Sequence, residues 1–319
     1  MVNLSIIIPH YNSVFTLNKL LQTIPNRKDI QVIVVDDNSE NKYKNELLKL
    51  KNEYIQSNVE FYNNNTNTKG AGSCRNIGLK LAKGKWLIFA DADDYFLNSF
   101  FDIVKKYFTS EYDVVFFKPT SIEIDSGKLS QRHKHYEMLI DNFLKYKSIS
   151  NEMFLRYYFH VPWSKLINSS LLKKNKIIFD EVIASNDVMF STKVGHSMKN
   201  FKVTEEVIYC VTRNRGSLTT TISHEIFDSR LNVYINYYHF LKKNLSKEMF
   251  QLLNVSGRYY LLQSLNLGFK KTFMVFIKLK RNNVHIINFK VLNPIRITKV
   301  ILGYYQKRKK MNRYFKKTN

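Results

Sequence analysis

Several residue types are scarce in this chain of 319 residues, and each scarcity excludes a class of protein. There are only 10 glycines and 5 prolines, which excludes a collagen-like chain and argues against a low-complexity disordered one. The two cysteines, Cys74 and Cys210, are too few for a disulfide framework and lack the spacing of a thiolate metal site. We therefore expect them to be reduced structural residues of a cytoplasmic protein.

The sequence also lacks a long apolar segment. No run reaches the roughly 18 apolar residues that a membrane-spanning helix needs. The apolar start at residues 4–9 is too short for the core of a signal peptide, and no basic segment precedes it. We therefore predict neither a transmembrane helix nor a secretory signal.

Acidic residues are missing from the end of the chain. Lys and Arg number 50 against 26 Asp and Glu, a formal net charge of +24, and no acidic residue follows Glu248. Such a charge predicts an anionic partner, which is nucleic acid, membrane phospholipid or a phosphorylated substrate. In residues 249–319 the basic residues are interleaved with Phe and Tyr, a composition typical of helices that lie flat on anionic membranes. Nucleic-acid binding and a solvated, partly disordered end are the alternatives, and no recognisable nucleic-acid motif accompanies these residues.

What the sequence does contain is a regular alternation of short apolar runs with segments of helical periodicity. Predicted strands cover residues 4–8, 30–35, 59–62, 86–90 and 113–118. Alternation of this kind predicts a parallel α/β sheet, in which ligands bind beyond the carboxyl ends of the strands. Farther along, residues 154–158 and 166–172 have helical patterns, and the chain from residue 225 onward is predicted to be mostly helical.

Candidate site residues, most of them polar, follow three of these predicted strands. In chain order they are Pro9, Tyr11, Asp36, Asp37, Asp91, Ala92, Asp93 and Asp94. Because the carboxyl ends of parallel strands share one edge of a sheet, up to five carboxylates are expected to converge there. Like charges at close range repel each other unless a cation intervenes, and Mg²⁺ or Mn²⁺ prefers carboxylate oxygens. The pattern therefore predicts a divalent metal site that also receives diphosphate. The alternative is that these aspartates cap the following helices.

A glycine-rich turn at residues 69–76 opens another predicted helix. Its glycines, Gly70 and Gly72, allow close backbone approach, and a helix N-terminus favours anions. Arg75 can bind phosphate or a carboxylate. The turn is not a P-loop, because the Gly-Lys-Ser/Thr ending is missing.

Four motifs in this order resemble those of family 2 glycosyltransferases, which have the GT-A fold. They are Ser5-Ile-Ile-Ile-Pro9-His-Tyr11-Asn12, Val34-Val35-Asp36-Asp37-Asn38-Ser39, Gly72-Ser-Cys-Arg75-Asn76-Ile-Gly78 and Phe89-Ala-Asp91-Ala-Asp93-Asp94. The resemblance is close over the first 100 residues and continues more loosely to about residue 220. It implies a Rossmann-like mixed sheet flanked by helices in a catalytic domain of residues 1–220. Residues 221–319 are then predicted to be a helical, basic region for acceptor and membrane contact.

The resemblance also implies roles in donor binding for residues after the first two strands and in the turn. Tyr11, which follows Pro9, would pack against the nucleotide base. Asp37 would accept a hydrogen bond from that base, which suits uracil, and Asp36 would support the loop. Arg75 would lie near the base or the diphosphate.

The segment Asp91-Ala92-Asp93 matches the family's DXD motif, whose acids contact the ribose and the metal. The resemblance thus implies Mn²⁺ or Mg²⁺ as cofactor, with Asp93 and Asp94 as candidate ligands. Which of the three carboxylates binds the metal directly is left open.

A later segment, Ser185-Asn186-Asp187-Val188-Met189-Phe190, resembles the part of the family that carries the general base. Asp187 matches that base, whereas Asn186 stands where the family usually has Glu. Removal of the acceptor's hydroxyl proton during attack typically contributes about 10²–10⁴-fold to the rate. A single displacement inverts the anomeric configuration, so an α-linked donor would give a β-linked product. The alternative is that Asp187 only caps a helix.

Residues 213–219 resemble a motif near the end of the family's catalytic region. Arg215 and Ser217 are candidates for contact with phosphates of the donor or the acceptor, and a solvated turn is the alternative. The whole resemblance implies an inverting hexosyl- or N-acetylhexosaminyltransferase that uses a nucleotide donor, inferred to be UDP-linked. Its acceptor would be a glycan or a polyprenyl-linked molecule in surface polysaccharide synthesis, at the inner face of the cell membrane. The rivals are a nucleotide-sugar hydrolase or nucleotidyltransferase, and a non-catalytic binder of membrane or nucleic acid.

Overall fold

A computed structural model describes residues 1–124, 126–213 and 223–286 of the chain. It contains two compact units, one of residues Met1–Tyr237 and one that begins at Tyr238. The predicted domain boundary between residues 220 and 221 lies outside the described residues and stays a prediction.

Strands and helices alternate through the first unit, whereas the described part of the second unit contains helices and no strand. The strands are β1 (Leu4–His10), β2 (Ile30–Asp36), β3 (Val59–Asn63), β4 (Trp86–Phe89), β5 (Tyr95–Phe96), β6 (Val114–Glu123), β7 (Lys165–Asn168) and β8 (Phe201–Arg213). The helices are α1 (Val14–Gln22), α2 (Asn41–Glu53), α3 (Ala71–Leu81), α4 (Phe100–Val104), α5 (Lys134–Lys145), α6 (Ile149–Tyr158), α7 (Ser169–Asn175), α8 (Asn186–Ser197), α9 (His224–Asn244), α10 (Lys247–Leu253), α11 (Arg258–Ser264) and α12 (Phe269–Arg281).

Within the described residues, the strands form one mixed sheet in the order β3-β2-β1-β4-β7-β6-β8-β5. The first four strands along the chain are parallel to one another, as predicted. Strand β7 pairs antiparallel with β4 and β6, and β5 pairs antiparallel with β8. The carboxyl ends of β1, β2 and β4 therefore lie at one edge, where the polar motifs follow.

The apolar runs of β1 and β2 are continuous because both faces of the sheet are covered. Ile6 and Ile8 belong to the core on the face of α1 and α2, whereas Ile7 belongs to the core on the face of α3 and α8. Val34 and Val35 of β2 divide between the same two cores. A strand with helices on both sides is expected to be apolar at successive positions rather than at alternate ones.

The predicted helix over residues 166–172 is wrong at its start. Leu166 and Ile167 are strand residues of β7, which fills the space between β4 and β6. Helix α7 begins only at Ser169, and the side chain of Asn168 caps it by accepting a hydrogen bond from the amide of Ser170. A short apolar run fits either structure, and here pairing with two neighbouring strands decides.

The second unit is helical in its described part, in agreement with the sequence. Val284 donates its amide to Leu279, and the methyl groups of both residues lie against Gly257 at the start of α11. The amide of His285 donates to the hydroxyl of Tyr238, which joins the end of this segment to the unit's first residue. Among the described residues, none of the helices has the length and apolar character needed to cross a membrane.

Candidate active site

The ends of β1 and β2 are joined by a buried network around Asp36. One carboxylate oxygen lies 2.8 Å from Nδ1 of His10 and also accepts from the Ser39 hydroxyl at 2.6 Å. Nε2 of His10 accepts from the amide of Ser13, so Nδ1 carries the proton that His10 donates to Asp36. Burial would raise the pKa of Asp36, but these hydrogen bonds outweigh it and hold the pKa below its usual value. Asp36 thus supports the loop that carries the next aspartate.

Asp37 is fixed by the glycine-rich turn and by a residue that the sequence motifs did not single out. Its Oδ2 accepts the amide of Gly70 at 2.7 Å, and its Oδ1 accepts from the side chain of Asn64 at 2.7 Å. The amide of Asp37 donates to the carbonyl of His10, so the loops after β1 and β2 are also joined through their backbones. Tyr11, in the first of these loops, is 50% exposed, which leaves its ring accessible for stacking.

The N-terminus of α3 lies in close contact with the segment that leads to α8. A Cβ atom on Gly72 would lie 2.3 Å from the carbonyl oxygen of Asp180 and 3.2 Å from Cβ of Asn186. No side chain fits at that distance, so glycine is required at residue 72 for this close approach. The contact brings the beginning of α8 beside Arg75.

Arg75 connects the donor-side acids to the segment of the predicted base. Its side chain is buried, with one guanidinium nitrogen bonded to Asp91 and the other to Oδ1 of Asn186 at 2.7 Å. The guanidinium also lies over the ring of Phe179, 5.3 Å from its centroid. Asp91, whose carboxylate forms an ion pair with Arg75, keeps about a quarter of its side chain exposed. The guanidinium of Arg75 therefore joins the DXD segment to Asn186, which directly precedes Asp187.

Asp94 is directed into the protein by strand β8. Its two carboxylate oxygens accept from the hydroxyl of Tyr209 at 2.8 Å and from the amide of Thr212 at 2.7 Å. The same Tyr209 hydroxyl accepts the amide of Asp91. Burial, followed by the charges of Asp93 and Asp91, raises the pKa of Asp94 well above its usual value.

Asp187 lies in the first turn of α8 and keeps partial contact with solvent. Burial is the main cause that raises the pKa of its carboxyl, and the charge of Asp91 acts in the same direction. The charges of Arg75 and Lys165 oppose that rise. A carboxylate with a raised pKa is better suited to accept a proton near neutral pH than an ordinary one.

The geometry thus brings together Asp36, Asp37, Arg75, Asp91, Asp93 and Asp187 at one edge of the first unit. A family model, glycosyl transferase family 2, matches residues 5–175, which is more than half of the chain. The chain belongs to glycosyltransferase family 2. The four sequence motifs predicted this membership, and the match confirms it.

Curated relatives of this family 2 chain differ in how much of their length they share with it. A poly(ribitol-phosphate) β-glucosyltransferase of Bacillus spizizenii is 28% identical over 216 residues, which are 65% of this chain and 32% of the relative. The poly(ribitol-phosphate) β-N-acetylglucosaminyltransferase TarS of Staphylococcus aureus is 25% identical, over 68% of this chain and 36% of the relative. The chain thus spans about a third of the length of these two relatives. A GalNAc(5)-diNAcBac-PP-undecaprenol β-1,3-glucosyltransferase of Campylobacter jejuni is 26% identical over 78% of this chain and 76% of the relative.

Solved structures of glycosyltransferases share the fold. Residues 1–349 of S. aureus TarS in complex with UDP-GlcNAc align with a TM-score of 0.61 and 22% identity, over 83% of this chain and 73% of that chain. The mannosyltransferase PcManGT of Pyrobaculum calidifontis, in complex with GDP-Man and Mn²⁺, aligns with a TM-score of 0.56 and 12% identity, over 95% and 84%. These similarities confirm the predicted GT-A fold.

The metal that the family resemblance implies fits two of the protein's carboxylates. Among the residues that the structure describes, no cluster of three or more His, Cys, Asp or Glu side chains is arranged to hold a metal ion alone. Burial and then the charge of Asp91 raise the pKa of Asp93, and a divalent cation beside both acids would relieve that repulsion. Mg²⁺ sites commonly use one or two carboxylates together with substrate phosphates, so this pair fits a metal that arrives with a diphosphate. Asp94 fits less well, because both of its oxygens already accept hydrogen bonds.

Three residues that the motifs left without a role prove to hold the site together. Asn64 binds Asp37, Tyr209 binds Asp91 and Asp94, and Asn76 binds the backbone of Phe179 through both its amide nitrogen and its oxygen. Asn76 stands directly after Arg75, so its sequence position was a usable signal. Asn64 and Tyr209 are brought in by loop and strand packing that no local pattern reveals. Arg215 and Ser217 lie outside the described residues.

Proposed function

We propose that this chain is an inverting glycosyltransferase that moves a sugar from a UDP-linked donor to a hydroxyl of a glycan or polyprenyl-linked acceptor. The observation that carries the proposal is the position of Arg75 between Asp91 and Asn186. Arg75 thus joins Asp91, the first acid of the DXD motif, to Asn186, which directly precedes the proposed base Asp187. The printed names of the relatives, which act on ribitol-phosphate polymer or on undecaprenol-linked glycan, support an acceptor in surface polysaccharide synthesis.

On the donor side, Tyr11 stacks on the base and Asp37 accepts a hydrogen bond from it. Asp37 accepts hydrogen bonds from Gly70 and Asn64, and these bonds fix the orientation of its carboxylate before the nucleotide binds. Asp91 lies beside the ribose. Asp93, with Asp91 beside it, would hold the divalent metal, which would neutralise charge on the departing diphosphate.

On the acceptor side, Asp187 takes the proton of the attacking hydroxyl on a carboxylate oxygen. Its position in the first turn of α8 and its raised pKa suit that task. The hydroxyl attacks the anomeric carbon as the bond to the diphosphate breaks, which inverts the configuration. The proton ends on Asp187, and the negative charge ends on the diphosphate.

Nucleotide binding and turnover can be separated by two substitutions at the site. Thermal-shift measurements with UDP, GDP and Mn²⁺ are expected to show that UDP with Mn²⁺ stabilises the wild type most, because a ligand that binds the folded state raises its stability. Asp93→Asn should lose the part of the thermal stabilisation that depends on Mn²⁺. Asp187→Asn should keep that stabilisation and lose sugar transfer from UDP-GlcNAc or UDP-glucose. Rapid donor hydrolysis without an acceptor would favour the hydrolase alternative, and no stabilisation by any nucleotide would favour a non-catalytic binder.

We also propose that the second unit contacts an anionic membrane surface, which would place the enzyme at the inner face of the cell membrane. Phe269 and Phe273 of α12 are 85% and 59% exposed, and with the partly exposed Phe276 they recur at positions i, i+4 and i+7 on one side of the helix. Residues 249–286, which are the described part of residues 249–319, contain no acidic residue. Their basic residues are Arg258, Lys270, Lys271, Lys278, Lys280 and Arg281. Aromatic and basic residues together suit an interfacial helix. Residues 287–319, which belong to the same prediction, lie outside the described residues.

Vesicle flotation of the full chain tests this contact. We expect binding to phosphatidylcholine vesicles that contain phosphatidylglycerol and little binding to phosphatidylcholine alone, with the difference reduced at high salt. Equal recovery with the two kinds of vesicle would remove the electrostatic part of the proposal.

A further inference from the structure

Arg132 is a partly exposed arginine in the loop that joins β6 to α5. One guanidinium nitrogen, Nη1, donates to the carbonyl oxygen of Thr212 in β8 at 2.8 Å. No carboxylate of the described residues lies within ion-pair distance of this guanidinium. A guanidinium carries five N–H donors in a fixed fork, and a single carbonyl uses only one of them. Arg132 can therefore bind an anionic ligand and keep the contact that holds it in place.

Thr212 connects this arginine to the acids of the DXD segment. Its hydroxyl donates to the backbone carbonyl of Asp93 at 2.6 Å, and its amide donates to the carboxylate of Asp94 at 2.7 Å. Burial is the main cause that raises the pKa values of both aspartates, and the charge of Arg132 opposes that rise. The hydrogen bonds and the charge effect thus agree that the guanidinium lies near the acids of the metal end of the site.

The backbone on both sides of Arg132 is anchored to β6 by a buried cluster of hydroxyl and imidazole groups. The amide of Arg132 donates to the hydroxyl of Ser130 at 3.3 Å, and the amide of His133 donates to the hydroxyl of Ser121 at 3.4 Å. The two hydroxyl oxygens lie 2.6 Å apart, and Nδ1 of His133 lies 2.6 Å from that of Ser121. These three residues are buried. The position of Arg132 is therefore set before a ligand arrives, which reduces the entropy that binding costs.

We propose that Arg132 binds the β-phosphate of the nucleotide donor and stabilises the charge that the departing diphosphate acquires. Arginine forms paired N–H···O bonds with phosphate, and a fixed cation at a developing negative charge lowers the barrier to the reaction. The proposal rests on the proposed function, in which Asp93 would hold the metal that arrives with the diphosphate. It deepens that function by assigning a residue of the described structure to the leaving group, since Arg215 and Ser217 lie outside the described residues.

The alternative is that Arg132 only offsets the negative charges of Asp93 and Asp94. In that case its removal would weaken metal binding, and nucleotide affinity would change only when the metal is present. A direct contact with phosphate acts in the absence of metal as well. The comparison of UMP with UDP isolates the β-phosphate, because the two nucleotides share the base, the ribose and the α-phosphate.

The experiment is a calorimetric titration of the full chain with UMP and with UDP, in Mn²⁺ and again in EDTA. The wild type should bind UDP more tightly than UMP in both buffers. Arg132→Gln should weaken UDP binding about tenfold in both buffers and leave UMP binding unchanged, because one charge-assisted contact is lost. Arg132→Lys retains the charge and should keep more of the affinity for UDP. The control Arg27→Gln removes a surface arginine that pairs with Asp29 and should change neither affinity.

Four results would overturn the proposal, and they differ in what they say about the proposed function. An equal ratio of UDP to UMP affinity in Arg132→Gln and the wild type would remove the role of Arg132 alone. Equal losses of UMP and UDP affinity would indicate a structural role, since UMP binding reports an intact base and ribose site. A loss confined to Mn²⁺ would mean that Arg132 acts through the acids. Failure of the wild type to bind either nucleotide would contradict the proposed UDP-linked donor as well.

Sugar transfer distinguishes the donor from the acceptor as the source of the phosphate. With UDP-GlcNAc or UDP-glucose, whichever the wild type uses, Arg132→Gln should transfer the sugar more slowly in parallel with its weaker binding of UDP. Loss of transfer with unchanged UDP affinity would assign Arg132 to the acceptor and would contradict the proposed contact with the donor.

Discussion

The carboxylates of the site form two sets that differ in what surrounds them. The set after β2, Asp36 and Asp37, accepts hydrogen bonds from His10, Ser39, Gly70 and Asn64. For Asp36 these bonds overcome the effect of burial and lower the pKa. In the other set, Asp93 and Asp187, burial is the dominant influence and raises the pKa.

The difference indicates how the site divides its tasks. A carboxylate that accepts several hydrogen bonds is stable as an anion and can orient a ligand without changing its own state. A desolvated carboxylate is less stable as an anion and gains from a proton or a cation. The first set is therefore suited to hold a nucleotide base, and the second to bind a metal or accept a proton.

The largest expected effect comes from Asp187→Asn, which tests the desolvated set. The rate of sugar transfer should fall by about 10²–10⁴-fold, because the acceptor hydroxyl loses its proposed base. The melting temperature should stay the same or rise, since a partly buried carboxyl whose pKa is raised has been replaced by a neutral amide. The matched control is Asp180→Asn, whose carboxyl also has a pKa raised by burial but which is assigned no catalytic role. Equal rate losses in the two variants would contradict the division of tasks.

Gly72→Ala tests the contact that brings the two sets together. The new Cβ would lie 2.3 Å from the carbonyl oxygen of Asp180, so α3 and the segment before α8 must separate. We expect a loss of about 1–3 kcal/mol in the free energy of unfolding, measured with urea, together with a reduced kcat. Ser73→Ala, at a neighbouring buried residue whose hydroxyl has no hydrogen-bond partner in the described structure, should change either quantity little. If Gly72→Ala were as stable as the wild type, the close approach of Gly72 to Asp180 would not require glycine.

Asp36→Asn tests the hydrogen-bonded set and should affect stability. The loss is expected to be about 1–2 kcal/mol at pH 7, because a buried anion with three hydrogen bonds is removed. The pKa of Asp36 is depressed below 3.8, so its stabilisation is present above that pH and disappears as the pH falls through the folded value. Unfolding measured from pH 7 down to about pH 3 should therefore show the two proteins converging. Asp29→Asn, at a surface pair with Arg27, should cost less than about 1 kcal/mol.

The smallest effect is expected outside both sets, at the surface of α12. Phe273→Ser should reduce binding to anionic vesicles about fivefold, on the basis of roughly 1 kcal/mol for an aromatic ring that is only partly buried in the interface. Leu252→Ser, which alters an exposed apolar residue of α10, serves as the control and should have little effect. Equal losses in flotation would mean that α12 is not the contacting helix. Neither substitution should alter the thermal shift that UDP and Mn²⁺ produce.

Much of the first unit could be predicted from local patterns. The runs that became β1, β2 and β4 are apolar at successive positions, and the acids directly follow them. Parallel pairing then places those acids at one edge without any further information. The region of residues 166–172 could not be predicted in this way, because whether Leu166 and Ile167 form strand or helix depends on the space between β4 and β6.

The sequence by itself determined which acids could meet, because its local apolar periodicity predicts where the strands end and in what order they follow along the chain. Only the tertiary structure decided how each acid behaves. Asp94 differs from Asp93 because β8 supplies Tyr209 and Thr212, which lie more than 100 residues away along the chain. The pKa of Asp187 likewise responds to the charges of Arg75 and Lys165, which belong to α3 and β7. Desolvation and charge act through space, so the state of a carboxylate follows from its surroundings rather than from its motif.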